Sequence, residues 1–321
     1  MTLVRIVKSW TSPDFLRQTP GGTGMWGDCR FTLDPVERCD YLIALNHVPA
    51  DITVEIPRSN IWCVVQEPPD PSFRWIDKGL PHYARMFTQD ERLKGPKVTL
   101  THGSLPWHVG RSYDELSAAP TPAKTGDLSW ITSNLAANAG HRRRLAFLAR
   151  LQAAGVKFDL FGRGFQPIAD KWDGLAPYRY AIAVENHSAP HYWTEKIMDC
   201  FLAGTMPIYF GATNIAEYFP KESFVWLDIE DPNAPHHVAE VIRSDRAERN
   251  REALAEARRR VLEEHQFFPR FARLIAEDQR NNAASTPERV TLPAMPDLTH
   301  YYRDHTPLQR LWRSATRRIF G

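Results

Sequence analysis

Cysteine is scarce in this sequence, with four residues in 321. No two cysteines form a CxxC pair, and their spacing matches no zinc-binding pattern. Cys63 lies in an apolar run and Cys200 lies among apolar residues of a predicted helix, so both are expected to be buried, reduced thiols. This usage is typical of the reducing cytosol and argues against a small disulfide-stapled domain.

Long apolar runs and strong net charge are also missing. No run approaches the roughly 20 apolar residues of a membrane-spanning helix, and the N-terminus lacks the apolar core and cleavage site of a signal peptide. The net charge of +2 gives no reason to expect nucleic-acid binding. We therefore expect a cytoplasmic protein that contacts a membrane only peripherally.

Such a contact would come from residues 305–321, where Leu308, Leu311 and Trp312 follow helical spacing on one face and several arginines flank it. Two interpretations are equally supported. The segment is a terminal helix docked on the protein, or it is a basic amphipathic anchor on the inner face of the cytoplasmic membrane.

What the sequence does contain is a succession of short apolar runs separated by helical patterns, which indicates an α/β fold with doubly wound parallel sheets. A small, proline-rich stretch at 117–126 reads as a linker. It predicts an N-terminal domain at 1–120, a C-terminal domain at 121–280, and a loop and helix at 281–321. The predicted strands are 4–7, 41–45, 61–65, 98–100, 128–132, 158–161, 180–184, 207–210 and 224–227.

The segment 180–211 carries the clearest chemistry. After a predicted strand and a polar loop, Thr194 can cap a helix that Gly204 ends. A helix N-terminus at the carboxyl end of a strand suits a phosphate, and Lys196 adds a full positive charge there. The carboxylate of Glu195 is suited to accept hydrogen bonds from the two adjacent hydroxyls of a ribose. Without further information, a purely structural role is favoured, in which Glu195 only complements the helix dipole and Lys196 is solvated.

The same segment resembles the C-terminal signature of glycosyltransferase family 10, the alpha-1,3/1,4-fucosyltransferases, in their bacterial form. The resemblance rests on Val-Glu-Asn at 184–186, Tyr-Trp-Thr-Glu-Lys at 192–196 and Pro-Ile-Tyr-Phe-Gly at 207–211. Trp193 stands where the family usually has valine. The resemblance is clear over about 128–228 and faint before it.

The resemblance implies a GT-B architecture, in which two Rossmann-like domains face a central cleft, here with a C-terminal helical tail. The nucleotide sugar would bind to the C-terminal domain and the acceptor mainly to the N-terminal one. Glu195 would then hold the ribose and Lys196 the pyrophosphate, while Asn186 and Tyr192 would line the donor pocket.

A second match lies at 132–134, where Thr-Ser-Asn precedes three consecutive arginines. The family places a phosphate-binding arginine at this point, and a guanidinium can bind two phosphate oxygens at once. Counting back from the following aromatic residue favours Arg144. Arg142 and Arg143 remain alternatives, and the run could also be an exposed basic face.

An inverting transfer needs a base for the acceptor hydroxyl, and a carboxylate at a strand end suits this role. Glu67 follows the buried strand at 61–65 and precedes two prolines that stiffen the turn. The family places its base in a similar setting but with a different following turn. Asp70 is the next candidate, and a surface carboxylate without catalytic function is the alternative.

Together these features predict an inverting transfer of L-fucose from GDP-fucose to the hydroxyl of an oligosaccharide or glycolipid, in surface polysaccharide or lipopolysaccharide synthesis. No DxD metal motif occurs in a matching context, so no metal is expected to be required and a divalent ion would at most stimulate. Two alternatives stay open: another GDP-deoxysugar as donor, and a non-catalytic protein that binds nucleotide sugars or glycans.

Overall fold

The structure is a computed structural model, and it describes residues 1–283 and 285–299. Within them the strands are β1 (Thr2–Val7), β2 (Met25–Trp26), β3 (Cys29–Thr32), β4 (Tyr41–Leu45), β5 (Ile52–Ile56), β6 (Ile61–Val64), β7 (Arg85–Thr88), β8 (Val98–Leu100), β9 (Gly126–Ile131), β10 (Asp159–Phe161), β11 (Tyr178–Val184), β12 (Met206–Phe210), β13 (Val225–Trp226) and β14 (Glu288–Leu292). The α-helices are α1 (Tyr113–Ala118), α2 (Ala139–Ala153), α3 (Glu195–Leu202), α4 (Ala234–Arg243), α5 (Arg246–Arg249), α6 (Arg251–Arg260) and α7 (Phe267–Asn281).

The chain divides into two compact units that are not continuous in sequence. The C-terminal unit contains residues 12–31 and 104–283. The N-terminal unit contains residues 2–11 and 32–103, together with the described residues 285–299.

This division differs from the boundary expected at 117–126, because residues before that linker already belong to the C-terminal unit. Trp107 is buried in the core of that unit. Its backbone carbonyl accepts hydrogen bonds from Arg17 at 3.5 Å and from Gln18 at 3.2 Å. Residues 12–31 are therefore attached to the C-terminal unit by tertiary contacts that a linker composition does not reveal.

The C-terminal unit is built on five parallel strands in the order β10-β9-β11-β12-β13. The chain order of the strands reverses between β9 and β11, which makes this place the topological switch point of a doubly wound sheet. All residues of β12, and those of β11 from Tyr180 onwards, are buried, as expected for strands covered on both faces. The carboxyl ends of β9 and β11 therefore form the edge at which a ligand site is expected.

The N-terminal unit has five parallel strands in the order β1-β4-β6-β7-β8, which is their order in the chain. A separate antiparallel pair joins β5 and β14. Among the described residues of this unit, the connections contain 3₁₀ turns and no α-helix. Prolines explain this in the β6–β7 connection, because the 3₁₀ turns at Pro71–Phe73 and Ile76–His82 both contain one.

The expected α/β class is confirmed, and both units have the parallel strands expected of a GT-B protein. Each of the nine predicted strands is present, with ends that agree within two residues. The strands β2, β3, β5, β7 and β14 were not predicted, because they are short or carry charged residues. The cysteines are all free and buried, as predicted for Cys63 and Cys200.

The proposed amphipathic helix at 305–321 lies outside the described residues, so its prediction rests on the sequence alone. Across residues 1–283 and 285–299, no helix has both the length and the apolar character needed to cross a membrane.

Candidate functional site

The switch point of the C-terminal sheet gathers residues from four segments of the chain. The end of β9 leads to Ser133, and α2 contributes Arg144. The end of β11 leads directly to Glu185 and Asn186, and the first turn of α3 supplies Lys196. Four segments that are separate in sequence therefore meet at the edge where doubly wound sheets bind ligands.

Glycine makes the close approach of these segments possible. A Cβ atom on Gly140, in the first turn of α2, would lie 1.7 Å from the backbone oxygen of Asn186. One on Gly211, after β12, would lie 2.5 Å from Cγ of Glu185. Any larger residue at these positions would push the loop after β11 away from its neighbours.

Arg144 is almost fully buried, with 5% of its surface exposed. Its Nη1 donates to Oδ1 of Asn186 at 2.8 Å, and its Nη2 donates to the carbonyl and the hydroxyl of Ser133 at 3.1 and 3.2 Å. Burial lowers the pKa of Arg144, and its buried Nε has no hydrogen-bond partner among the described residues. The guanidinium is thus held in place while its Nε–H remains available to donate, which favours an anionic ligand.

The other two arginines of the run point to different partners. Arg142 donates to the carbonyl of Ala136 at 3.4 Å. Arg143 forms an exposed ion pair with Glu230 at 3.3 Å. Of the three candidates for phosphate binding, Arg144 is the buried one, and its hydrogen bonds connect Ser133 after β9 with Asn186 after β11.

Glu185 is a deeply buried charge of the site, with 1% of its surface exposed. Its Oε1 accepts from the backbone N–H of Thr194 at 2.9 Å and from the Thr194 hydroxyl at 2.8 Å. Its Oε2 accepts from Nζ of Lys196 at 3.0 Å. Burial raises the pKa of Glu185 even though Lys196 acts in the opposite direction.

Thr194 is the N-cap of α3, as predicted, because its hydroxyl accepts from the backbone N–H of Lys196 at 3.4 Å. The ammonium group of Lys196 lies 3.0 Å from Glu185 and 3.5 Å from Glu195. Burial by itself would lower the pKa of Lys196, but the two carboxylates raise it. Lys196 therefore stays charged at the N-terminus of α3, where an anion would also meet the positive end of the helix dipole.

Glu195 has two further basic neighbours besides Lys196. Nζ of Lys171 lies 3.3 Å from its Oε1, and Nδ1 of His108 lies 3.9 Å from the same oxygen. Burial alone would raise the pKa of Glu195, but Lys196 and Lys171 lower it well below its usual range. Burial lowers the pKa of His108. Glu195 is thus an ionised carboxylate near neutral pH that can accept hydrogen bonds from hydroxyl groups.

Tyr192 lies in the loop between β11 and α3 and is 5% exposed. Its ring meets that of His187 edge-on, with centroids 6.0 Å apart. The neighbouring Trp193 packs into the core against Tyr218 and Phe219. The large residue at the position where valine was expected is therefore part of the packing behind the loop.

Glu67 lies in the N-terminal unit, three residues after the end of β6, and is partly exposed. The strand end is fixed because the backbone N–H of Gln66 donates to Oδ1 of Asn46 at 2.6 Å. The Gln89 side chain donates to the backbone carbonyl of Glu67. Asp70 has a local structural function, since its carboxylate caps the next turn by accepting from Ser72 at 2.9 Å. The setting predicted for Glu67 at a strand end is present.

Residues 121–253, which contain most of this site, match the family model described as Glycosyltransferase family 10 (fucosyltransferase) C-term. This segment is therefore similar to the C-terminal part of glycosyltransferase family 10. It contains the whole set of switch-point residues described above except His108.

Two relatives are similar to the chain in sequence, and one solved structure is given beside them. A fucosyltransferase-like protein of Arabidopsis thaliana is 33% identical over 102 residues, which is 30% of this chain and 20% of the plant protein. The human 4-galactosyl-N-acetylglucosaminide 3-alpha-L-fucosyltransferase FUT6 is 26% identical over 216 residues, or 63% of this chain and 57% of the human protein. The chain thus covers less than two thirds of either relative. A crystal structure of an alpha1,3-fucosyltransferase with GDP-fucose is 16% identical, with 89% of this chain and 92% of that chain covered and a TM-score of 0.48.

Four residues of this site were not among the predicted site residues: Glu185, Lys171, His108, and Asp199, whose carboxylate lies 3.1 Å from Nζ of Lys171. Glu185 could have been found, because it stands inside the Val-Glu-Asn motif at 184–186. Lys171 and His108 have no local signal, since their proximity to Glu195 exists only in three dimensions. Within the described ranges, no group of three or more His, Cys, Asp or Glu is arranged to hold a metal ion.

Proposed function

We propose that the protein is an inverting glycosyltransferase that transfers L-fucose from GDP-fucose to a glycan hydroxyl. The observation that carries the proposal is the convergence of Arg144, Lys196 and Glu195 at the switch point of a family 10 segment. Two cations beside one carboxylate that is ionised near neutral pH suit a molecule that joins a diphosphate to a ribose. The names of the relatives, which are fucosyltransferases, support fucose as the sugar.

Donor binding would divide between these groups. The carboxylate of Glu195 accepts hydrogen bonds from the ribose hydroxyls. Arg144 and Lys196 contact the diphosphate together with the free N–H groups of the first turn of α3. Asn186 holds Arg144 in position, and Tyr192 lines the pocket from the loop before α3.

In the reaction, the oxygen of the acceptor hydroxyl forms a bond to the anomeric carbon of fucose while the bond from that carbon to the phosphate oxygen breaks. Glu67 takes the proton of the hydroxyl as base. GDP leaves with the electron pair, and Arg144 and Lys196 stabilise the negative charge that develops on it. In this proposal protein cations supply the neutralisation, so metal ions are not required.

A donor screen tests the proposal. The full chain is incubated with GDP-fucose, other GDP-deoxysugars and UDP-sugars, with and without oligosaccharide acceptors, and GDP or UDP release is measured. Acceptor-dependent GDP release from GDP-fucose is expected, and NMR of the product should show an inverted anomeric centre. Preference for another GDP-deoxysugar would show that the donor sugar is not fucose. Binding without release of the nucleotide would indicate a non-catalytic protein. Parallel reactions with EDTA test the independence from metal.

The acceptor and the location are also proposed from the sequence: a surface polysaccharide or lipopolysaccharide precursor, made in the cytoplasm at the inner face of the membrane. Deletion of residues 305–321 tests the membrane contact. The truncated protein should bind less to vesicles of anionic lipid than the full chain, while GDP affinity stays the same. Equal binding of both proteins to such vesicles would refute the anchor.

A further inference from the structure

Lys171 enters the site from a part of the chain that carries no recognised motif. It begins a 3₁₀ turn (Lys171–Gly174) in the connection between β10 and β11. Its ammonium group nevertheless lies 3.3 Å from Glu195 and 3.1 Å from Asp199. About 26% of its side chain is exposed, so it borders the open side of the site rather than the core.

The two carboxylates that Lys171 contacts stand one turn apart on α3. Glu195 and Asp199 are four residues apart, which places them on the same face of the helix, where like charges repel. Asp199 is 1% exposed and cannot turn away, because its Oδ1 accepts from the backbone N–H groups of His108 and Val109 at 2.8 and 3.3 Å. Lys171 lies between the carboxylates and removes this repulsion.

Lys196 cannot replace Lys171 without leaving its own position. Its ammonium group is tied to buried Glu185 at 3.0 Å as well as to Glu195 at 3.5 Å. If Lys171 were absent, Lys196 would be the remaining ammonium group beside Glu195 and would be drawn towards it. The presence of Lys171 therefore leaves Lys196 available to an anionic ligand.

From these contacts we infer that Lys171, anchored by Asp199, is a positioning residue that keeps Glu195 ionised and oriented for the ribose hydroxyls of the donor. This inference rests on the proposed function, because it assigns a nucleoside to Glu195. Lys171 acts through Glu195, so its loss should weaken recognition of the nucleoside itself and of the nucleoside diphosphate alike.

The pH dependence of binding separates this role from a merely structural one. The groups that face Glu195 are Lys196 and Asp199 on α3, Glu185 after β11, Lys171, and His108. With both lysines present, the low pKa of Glu195 keeps the carboxylate ionised, so binding of guanosine, which carries no phosphate that titrates in this range, should be flat from about pH 8 to about pH 5. Without Lys171 the pKa of Glu195 rises, and binding should be lost at a higher pH as the pH falls.

The experiment measures dissociation constants of the full chain for guanosine and GDP by calorimetry across this pH range. Lys171→Met should weaken the binding of both ligands by roughly three- to tenfold near pH 7. It should also move the acidic loss of guanosine binding to higher pH. Lys171→Arg, which keeps the charge, should retain a large part of the affinity for both ligands. Lys157→Met is the matched control, because Lys157 is an exposed lysine of the same unit and should change neither.

The outcomes are distinguishable. If the wild-type chain binds neither guanosine nor GDP, the proposed function fails. If the wild type binds them and Lys171→Met has the same affinities and the same pH profile, or loses affinity equally at every pH, the positioning role is overturned. Adding His108→Gln to Lys171→Met should leave the shifted profile in place, and its disappearance would assign the titration to His108 and overturn the inference.

Discussion

The two units of this protein differ in the order of their parallel strands and in the residues that follow the carboxyl ends of those strands. In the C-terminal unit the strand order reverses between β9 and β11, and the adjacent carboxyl ends hold five mutually paired charges within one small volume. In the N-terminal unit the five parallel strands follow the chain order, and Glu67 follows β6 in a turn that Asp70 caps. A reversal of strand order separates the crossover connections on its two sides and leaves a crevice at the carboxyl ends of the strands.

The charge network of the C-terminal unit shows how a site can be pre-organised. Glu185, Lys196, Glu195, Lys171 and Asp199 alternate in sign along a chain of contacts between 3.0 and 3.5 Å. Each lysine contacts two carboxylates, so no single contact determines its position. Such an arrangement holds charged groups in place before a ligand arrives, which reduces the cost of binding.

The largest expected effect tests whether catalysis belongs to the N-terminal unit. Glu67→Gln removes the proposed base and should lower the rate of fucose transfer by about 10²- to 10⁴-fold, with GDP affinity within about twofold of wild type. Steady-state transfer assays and calorimetry measure the two quantities. Asp70→Asn is the matched control and should change stability little, because asparagine caps such a turn about as well as aspartate. A normal rate for Glu67→Gln with a slow Asp70→Asn would transfer the role to Asp70.

The next effect concerns the arginine at the switch point. Arg144→Lys keeps the charge but loses the planar set of donors, so GDP affinity should fall by about 10- to 100-fold. Arg143→Lys is the control, since Arg143 forms an exposed pair with Glu230 and should change GDP affinity by less than about twofold. Calorimetric titration with GDP compares them. The reverse order of effects would show that Arg143 binds the phosphate.

A smaller effect is expected from Glu185→Gln. Both oxygens of Glu185 accept hydrogen bonds, one from the N–H of Thr194 and one from the ammonium group of Lys196. Glutamine replaces one oxygen by an NH₂ group, which is itself a donor and cannot accept from either partner. We expect Lys196 to be displaced as a result. GDP affinity should fall by about tenfold, while guanosine affinity should stay near wild type. This difference would assign Glu185 to the phosphate half of the site.

A double-mutant cycle with Lys196→Met checks this assignment. If Glu185 acts through Lys196, the double variant should bind GDP no more weakly than Lys196→Met alone. It should also be more stable than Lys196→Met, which leaves the buried carboxylate of Glu185 without its cation. Additive losses of affinity would contradict the assignment.

The smallest effect on binding is expected from Trp193→Val, which restores the residue usual in the family. Because Trp193 is buried against Tyr218 and Phe219, the smaller side chain should lower the free energy of unfolding by about 2–4 kcal/mol. GDP affinity should stay within about twofold. Chemical denaturation and calorimetry measure these. A large loss of affinity with unchanged stability would place Trp193 in the donor pocket instead.

Several elements could be predicted from the sequence because their signals are local. The strands 41–45 and 98–100 were predicted with their observed bounds, since each is a short apolar run with clear ends. The cap of α3 at Thr194 and its end before Gly204, which has a φ of 64°, follow from side-chain chemistry within a few residues. The candidate donor residues Glu195 and Lys196 belong to the same short stretch.

The sequence by itself therefore determined the strands, the capped helix and the likeness of 184–211 to family 10, because these depend on neighbours in the chain. The tertiary structure decided that residues 12–31 join the C-terminal unit, that Arg144 contacts Asn186, and that Lys171 lies between two carboxylates of α3. Each of these contacts joins positions between 20 and 100 residues apart, roughly, and only the packing of strands and crossovers brings them together. A charge network is a property of that packing, so no local pattern could show it.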